Sequence, residues 1–250
     1  MATAPPTIFS PARKLARRRR AEAIYNRYDS EIFLIEHMAD DIFERLSFMR
    51  HEGHNVLIDG FGDHLVAELP WNHPASFHYL EEQDLDQPAR HVAGSFDLVV
   101  SVGMLDKLND LPGALIQMRE LLAPDGVAIA SFVGGASLPK LRRAMFEAEP
   151  DRPAARMHPL VDPRSCPQLL GRAGWKDPVV DSHVLTVRYG SLDRLVQDLR
   201  VHAMGSVLAE PAPPLTRAGR ERARAAFVAQ ADEDGKVSET FEIITLTGRR

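Results

Sequence analysis

The chain has 250 residues, of which 44% are hydrophobic and 26% are charged, and its formal net charge at pH 7 is -5. This composition is typical of an ordinary globular protein with one large α/β domain or two small ones, and it carries no nucleic-acid-binding signature. The single cysteine, Cys166, excludes an internal disulfide framework and any multi-thiolate metal site.

The first twenty residues and the hydropathy pattern bear on where the protein works. No run approaches the length of about eighteen apolar residues that spans a bilayer, so we predict no membrane span. Arg13, Lys14 and the arginine run 17–20 occur without an acidic residue, which is typical of a mitochondrial transit peptide and also of a basic helix. We interpret this segment as a helix and expect a bacterial cytoplasmic protein rather than a protein of the mitochondrial matrix. The histidines lack zinc-like spacing, so we predict no metal site.

The N-terminal part of the chain has a helical pattern. Between residues 11 and 50, apolar residues recur at three- or four-residue steps without an interrupting glycine or proline, which predicts one or two helices. We therefore treat residues 1–52 as a helical lead-in and residues 53–250 as the main domain.

A glycine turn follows the first predicted strand, residues 56–58. Asp59, Gly60, Phe61 and Gly62 form a partial version of the loop with which nucleotide-binding α/β domains approach their ligand. Such loops need glycine because the backbone turns tightly and lies against the ligand without a Cβ in the way. A two-glycine turn also serves simple connectivity between a strand and a helix, so both interpretations remain open.

The next part of the chain predicts a βαβ unit. Residues 96–101 and 127–133 are apolar runs typical of buried parallel strands, and residues 112–122 between them form an amphipathic helix. The carboxyl ends of parallel strands line the ligand crevice of an open α/β sheet. We therefore expect residues 101–105 to face a bound cofactor, with Ser101, Val102, Met104 and Leu105 as candidates. The alternative is a plain loop in which Asn109 or Asp110 caps the following helix.

The remaining sequence predicts alternating helices and strands around one irregular segment. Residues 149–163 are proline-rich and typical of a lid or connector. The other predictions are a short strand at 76–80, a turn at 124–126, helices at 137–148, 165–173, 192–204 and 217–231, and strands at 179–189 and 240–247.

Several segments resemble a known superfamily. Residues 95–101, 109–112 and 121–126 resemble the fourth strand, the following helix and the fifth-strand entry of class I S-adenosylmethionine-dependent methyltransferases. More specific are the segments SFVGG at 131–135, HPLVDPR at 158–164, LLGRAG at 169–174 and TFEII at 240–244. Together they resemble the methyltransferase-fold assembly factors of respiratory complex I, a family associated with arginine hydroxylation, and their α-proteobacterial relatives. The malonyl-carrier-protein methyltransferases of biotin synthesis are more distantly similar.

The resemblance implies a fold and a cofactor. It implies a Rossmann-like, seven-stranded sheet with helices on both faces and an antiparallel last strand, in which residues 241–246 form an inner strand and residues 136–163 cover the active site. The implied cofactor is S-adenosylmethionine. The family's acidic residue before the glycines aligns with Ile58, so that Asp59 lies one place late, and its third glycine aligns with His64. The ribose-binding acidic residue has only Asp84 or Glu82 as candidates.

Two functional hypotheses follow from these residues. The first is an S-adenosylmethionine-dependent enzyme that acts on a protein side chain or a small acid, with a respiratory-complex subunit as the possible partner and methyl transfer or hydroxylation as the reaction. Its cofactor-binding candidates are Asp59, Gly60, Phe61, Gly62, Asp84, Ser101, Val102, Met104 and Leu105. The second is a non-catalytic assembly or binding module that keeps the fold without the cofactor. No catalytic residue is identified, because methyl transfer depends mainly on alignment of the reacting groups.

Overall fold

The computed structural model describes residues 7–28, 31–61, 66, 69, 71, 73–80, 85, 87 and 91–250. The predictions made for Gly62, Asp84, Glu82 and His64 lie outside these residues. Of the helices that the structure describes, none is both long and apolar enough to cross a membrane.

Two helices form the N-terminal part, as the apolar spacing predicts. They are α1 (Pro11–Tyr28) and α2 (Phe33–Met49). Helix α2 buries Leu34, Met38, Ile42 and Leu46 on one face, because a spacing of three or four residues places side chains on the same side of a helix. That face packs against the central strands of the sheet.

The sheet contains six strands within the described residues. They are β1 (Asn55–Gly60), β2 (Ser76–Tyr79), β3 (Phe96–Val102), β4 (Leu122–Val133), β5 (Lys176–Tyr189) and β6 (Val237–Arg249), in the order β2-β1-β3-β4-β6-β5. Strands β2, β1, β3 and β4 are parallel, whereas β6 runs antiparallel to both β4 and β5. The predicted antiparallel inner strand at 241–246 is therefore confirmed.

The expected count of seven strands is wrong for the described part of the chain. The family supplied that count, and the local sequence gives it little support. Between β2 and β3, residues 81–90 contain no run of β-branched or aromatic residues of the kind that favours a strand.

The predicted turn at 124–126 is a second correction, because these residues lie within β4. Asp125 there has a φ of 61°, and the pairing of β4 with β3 changes register.

Helices cover both faces of the sheet, as expected. The remaining helices are α3 (Leu111–Leu121), α4 (Pro139–Ala148), α5 (Cys166–Ala173), α6 (Leu192–Val201) and α7 (Arg217–Val228), with short 3₁₀ helices at Leu105–Lys107 and Pro163–Ser165. Helices α2, α4, α6 and α7 contribute to one apolar cluster, and α3 and α5 contribute to the other. Strands β3 and β4 are nearly continuously apolar because both of their faces are buried.

Candidate functional site

The carboxyl ends of β1 and β3 bring two predicted site residues together. Asp59 lies opposite Ser101 in the parallel pairing, and the Ser101 hydroxyl donates a hydrogen bond of 2.7 Å to Asp59 Oδ2. Both side chains are buried. They lie on the same sheet face as Leu57 and Val99, two residues earlier, which pack in the cluster with α3 and α5. The two polar groups therefore end an apolar layer at the edge where open α/β sheets bind ligands.

Gly60 is held in a conformation that other residues rarely adopt. Its φ is +87°, and a Cβ built there would lie 2.2 Å from the carbonyl oxygen of Val102 and 2.5 Å from Cγ of Met104. The amide of Phe61 donates a 3.2 Å hydrogen bond to the same Val102 oxygen. Glycine is thus required by the chain's own packing, which agrees with the connectivity interpretation and is compatible with ligand binding.

A second glycine with a positive φ lies at the end of β3. Gly103 has a φ of +71°, and its amide donates a 2.8 Å hydrogen bond to the carbonyl of Ser131 on β4. The Phe61 ring approaches within 3.4 Å of the position that a Cβ of Gly103 would occupy. Gly103 lies within the predicted segment 101–105 but is absent from the candidate residues. The sequence signal that could have identified Gly103 is a lone glycine directly after an apolar strand.

Arg18 of α1 reaches the end of β1. Its Nη2 donates a 3.2 Å hydrogen bond to the Gly60 carbonyl, and its Nε lies 3.1 Å from Glu22 Oε1, one turn along the same helix. About a quarter of the side chain is exposed, at 24%. The arrangement places a permanent positive charge at the edge where Asp59 and Ser101 meet. The arginine run 17–20 is evident in the sequence, but its spacing does not indicate which member faces the sheet.

The segment after β3 leads into a buried charged pair that the sequence analysis missed. Met104 is half-buried, and Leu105 packs in the apolar cluster with α3 and α5. Asp106 and Lys107 are both buried, with Lys107 Nζ at 3.6 Å from Asp106 Oδ2 and 3.4 Å from the Gly103 carbonyl. Burial raises the pKa of Asp106, while the charges of Lys107 and Lys14 act against that rise.

The two predicted capping residues have different roles. Asp110 is the N-cap of α3 and accepts a 2.9 Å hydrogen bond from the amide of Gly113. Asn109 instead holds the N-terminal segment, because its Oδ1 accepts 2.8 Å hydrogen bonds from the amides of Ile8 and Phe9. Its Nδ2 also donates to the Phe9 carbonyl. The N-terminal segment is thereby fixed beside the loop that follows β3.

His158 lies within the predicted lid, residues 136–163, and is buried against this N-terminal segment. Its ring meets Phe9 edge-to-face at a centroid distance of 5.6 Å. Burial, together with the positive charges of Lys107 and Arg142, lowers the pKa of His158 to about 4. The predicted lid is also joined to the loop after β4, because the amide of Gly135 donates a 2.7 Å hydrogen bond to the carbonyl of Val161. Its role as a lid remains a prediction.

The buried imidazole gives an expected pH dependence of stability. The unfolded imidazole takes up a proton as the pH falls below its ordinary pKa of about 6.5, whereas the folded one stays neutral down to about pH 4. Stability contributed by neutral His158 is therefore present above pH 6.5 and declines by about 3 kcal/mol between pH 6.5 and 4. Urea denaturation at several pH values measures this loss. His158→Gln should flatten the decline, whereas the exposed control His78→Gln should not, and equal slopes in all three proteins would contradict the assignment.

The described residues also bear on metal binding. Among them, no three His, Cys, Asp or Glu side chains lie together as a metal site would require. The candidate site consists of two strand ends, two glycines with positive φ, a buried Asp–Ser pair and a cationic side chain from α1.

Comparisons with known proteins agree on the architecture. A family model described as "Methyltransferase domain" matches residues 28–179. The chain is 32% identical over 221 residues to the mitochondrial arginine-hydroxylase NDUFAF5 of Danio rerio, covering 86% of this chain and 64% of that protein. It is 28% identical over 263 residues to the malonyl-[acyl-carrier protein] O-methyltransferase of Halorhodospira halophila, covering 91% of this chain and 84% of that one.

A solved structure has the same fold. It belongs to a candidate methyltransferase of Bacillus halodurans and superimposes with a TM-score of 0.51 at 13% identity, covering 83% of this chain and 97% of the other. The match with this chain spans 64% of the length of the Danio rerio protein and 46% of the length of the human arginine-hydroxylase NDUFAF5.

Proposed function

Because this chain belongs to the methyltransferase domain family, we propose that it is an S-adenosylmethionine-dependent enzyme that modifies a protein side chain during assembly of respiratory complex I. The family match includes β1, β3 and β4, and hence the strand ends of the candidate site. The similarity to an arginine hydroxylase over 86% of the chain supports a protein substrate. The observation that carries the proposal is the meeting of Gly60, the Asp59–Ser101 pair and Arg18 at one sheet edge.

The described residues fit the amino-acid end of S-adenosylmethionine. That end carries a carboxylate, for which the Arg18 guanidinium is a suitable partner because arginine binds carboxylates through directed, charge-assisted hydrogen bonds. The half-buried apolar side chains of Met104 and Phe61 lie next to Gly60 and Gly103, respectively. When bound, the cofactor would supply an electrophilic methyl group on a sulfonium. The nucleoside end, with Gly62 and Asp84 as its candidate ligands, remains a prediction from the sequence.

The protein's own contribution would be positioning and exclusion of water. The strand ends are fixed by the ladder between β1 and β3, by the hydrogen bond from Gly103 to Ser131 and by the Arg18 contact, so little reorganisation is needed on binding. Arg18 of α1 reaches this edge, and residues 105–107 after β3 are buried. Their burial would keep water from the reacting groups.

A second candidate function is supported by one specific similarity. The malonyl-carrier-protein methyltransferase of Halorhodospira halophila matches over 84% of its length, which is more than the arginine hydroxylases do. On this alternative, the acceptor is a carboxylate carried on a small protein. Such a function would place the protein in the bacterial cytoplasm.

Mass spectrometry of candidate substrates separates these functions. The chain is incubated with S-adenosylmethionine bearing a deuterated methyl group and, in parallel, with subunits of complex I or malonyl-carrier protein from the same host. We expect a subunit to gain one labelled methyl group or, with oxygen and a reductant supplied, one oxygen atom on an arginine. Modification of the carrier protein alone would favour the second candidate. No modification of either, although the cofactor binds, would overturn the enzymatic proposal and favour a non-catalytic module.

A further inference from the structure

A large cleft lies between helices α1 and α6. Its volume is about 980 Å³, and it also involves the start of α2 and the end of β5. Its floor is apolar and includes Ile24, Phe33, Val187 and Val201, which are buried or half-buried. None of the candidate cofactor residues that the structure describes lines it.

The rims of the cleft are cationic. Arg20 of α1 and Arg194 of α6 line it from opposite helices, and both side chains are exposed. Within the part of the chain that the structure describes, neither guanidinium forms a salt bridge. Arg27 also lines the cleft, and the carboxylates of Glu31 and Asp198 offset only part of the positive charge.

The surrounding charge is positive as well. The pKa of Arg17 is lowered first by burial and then by repulsion from Arg13, Arg20 and Arg200. Helix α1 carries Glu22 as its one acidic residue, and that carboxylate is engaged with Arg18. An anionic partner at this surface would relieve repulsion among the guanidinium groups.

The cleft and the candidate cofactor site use different faces of α1. Arg18 and Arg20 are two positions apart, which corresponds to about 200° around a helix. One face therefore directs Arg18 to the end of β1, and the opposite face directs Arg20 to the cleft. A ligand in the cleft would contact the helix that carries Arg18 without entering the cofactor site.

We propose that this cleft binds an acidic amphipathic α-helix of a partner protein. A helix with an apolar stripe and acidic flanks complements an apolar floor between cationic rims, in the manner of other helix-in-groove complexes. A helix about 10 Å across that rises 1.5 Å per residue would fill this volume with roughly eight residues, or about two turns. The inference goes beyond the proposed enzymatic function, because docking here requires neither the cofactor nor catalysis.

Selection from a displayed peptide library tests the proposal. A phage library of sixteen-residue random peptides is panned on the full-length wild-type chain, and the enriched peptides are synthesised with a fluorescent label for anisotropy titration. We expect sequences with net negative charge and apolar residues at three- or four-residue spacing. Their affinity should fall about tenfold or more in the double variant R20E/R194E, since two rim charges become repulsive.

A charge-matched variant controls for long-range effects. R172E/R220E makes the same change in net charge at exposed positions of α5 and α7, away from the cleft, and should bind the peptides like the wild type. Circular dichroism establishes that both variants keep their helices. Equal weakening in both variants would contradict the proposal. So would enrichment of peptides without acidic or amphipathic character, or displacement of the peptide by millimolar inorganic phosphate, which would indicate a small-anion site.

Discussion

Replacing Gly60 with alanine is expected to lower the free energy of unfolding by about 2 to 5 kcal/mol. The φ of +87° already disfavours any residue with a Cβ. The added methyl group would also lie 2.2 Å from the Val102 carbonyl oxygen, which is backbone held by the β1–β3 ladder and by the Phe61 amide. Backbone atoms in a central sheet cannot move aside as a flexible side chain can, so the strain and the clash add.

A glycine elsewhere in the chain provides the matched control. Gly171 lies inside helix α5, and a Cβ added there meets no heavy atom within 4 Å. Gly171→Ala should therefore stabilise the protein by about 0.4 to 1 kcal/mol, because alanine restricts the unfolded chain and favours the helix. Urea denaturation followed by the fluorescence of buried Trp175 measures both changes. A cost below about 1 kcal/mol for Gly60→Ala would show that the strand end adapts more freely than its geometry indicates.

Most of the architecture follows from local patterns in the sequence. The apolar run around Val99 and the run around Ile129 predict buried parallel strands, because strands covered on both faces lack polar alternation. The spacing from Leu34 to Leu46 predicts the buried face of α2. These predictions succeed because the physical signal lies within each element.

Features that depend on distant contacts were harder to predict. The Asp59–Ser101 hydrogen bond joins residues 42 positions apart and follows only from the pairing register of β1 with β3. The choice of Arg18 among four consecutive arginines depends on the rotation of α1 against the sheet, which periodicity in a mostly polar helix does not fix. The burial of the Asp106–Lys107 pair was also hard to predict, because it depends on the packing around the short 3₁₀ helix and charged residues are ordinarily exposed.

The strand count shows the limit of a family resemblance. The resemblance gave the antiparallel inner strand correctly, and it gave one strand more than the described residues contain. Residues 81–90 between β2 and β3 are mostly polar and include Pro88, so their own sequence gives little preference for a strand.

Replacing Arg18 with alanine is expected to weaken S-adenosylmethionine binding by roughly tenfold to a hundredfold. A hydrogen bond to a charged group contributes about 1.5 to 3 kcal/mol, which corresponds to that range of dissociation constants. The effect should be specific to the cofactor's carboxylate, because the Arg18 guanidinium lies at the Gly60 carbonyl, where we propose that this carboxylate binds. Arg19→Ala is the matched control, since Arg19 is an exposed neighbour on the same helix.

Calorimetric titration of the wild type, Arg18→Ala and Arg19→Ala tests the central claim of cofactor binding at this sheet edge. Each protein is titrated with S-adenosylmethionine and with its decarboxylated analogue, which lacks the group assigned to Arg18. We predict micromolar binding of S-adenosylmethionine to the wild type and to Arg19→Ala, and weaker binding to Arg18→Ala, with no such difference for the decarboxylated analogue. Absence of heat at millimolar S-adenosylmethionine, or equal affinity for all three proteins, would contradict it.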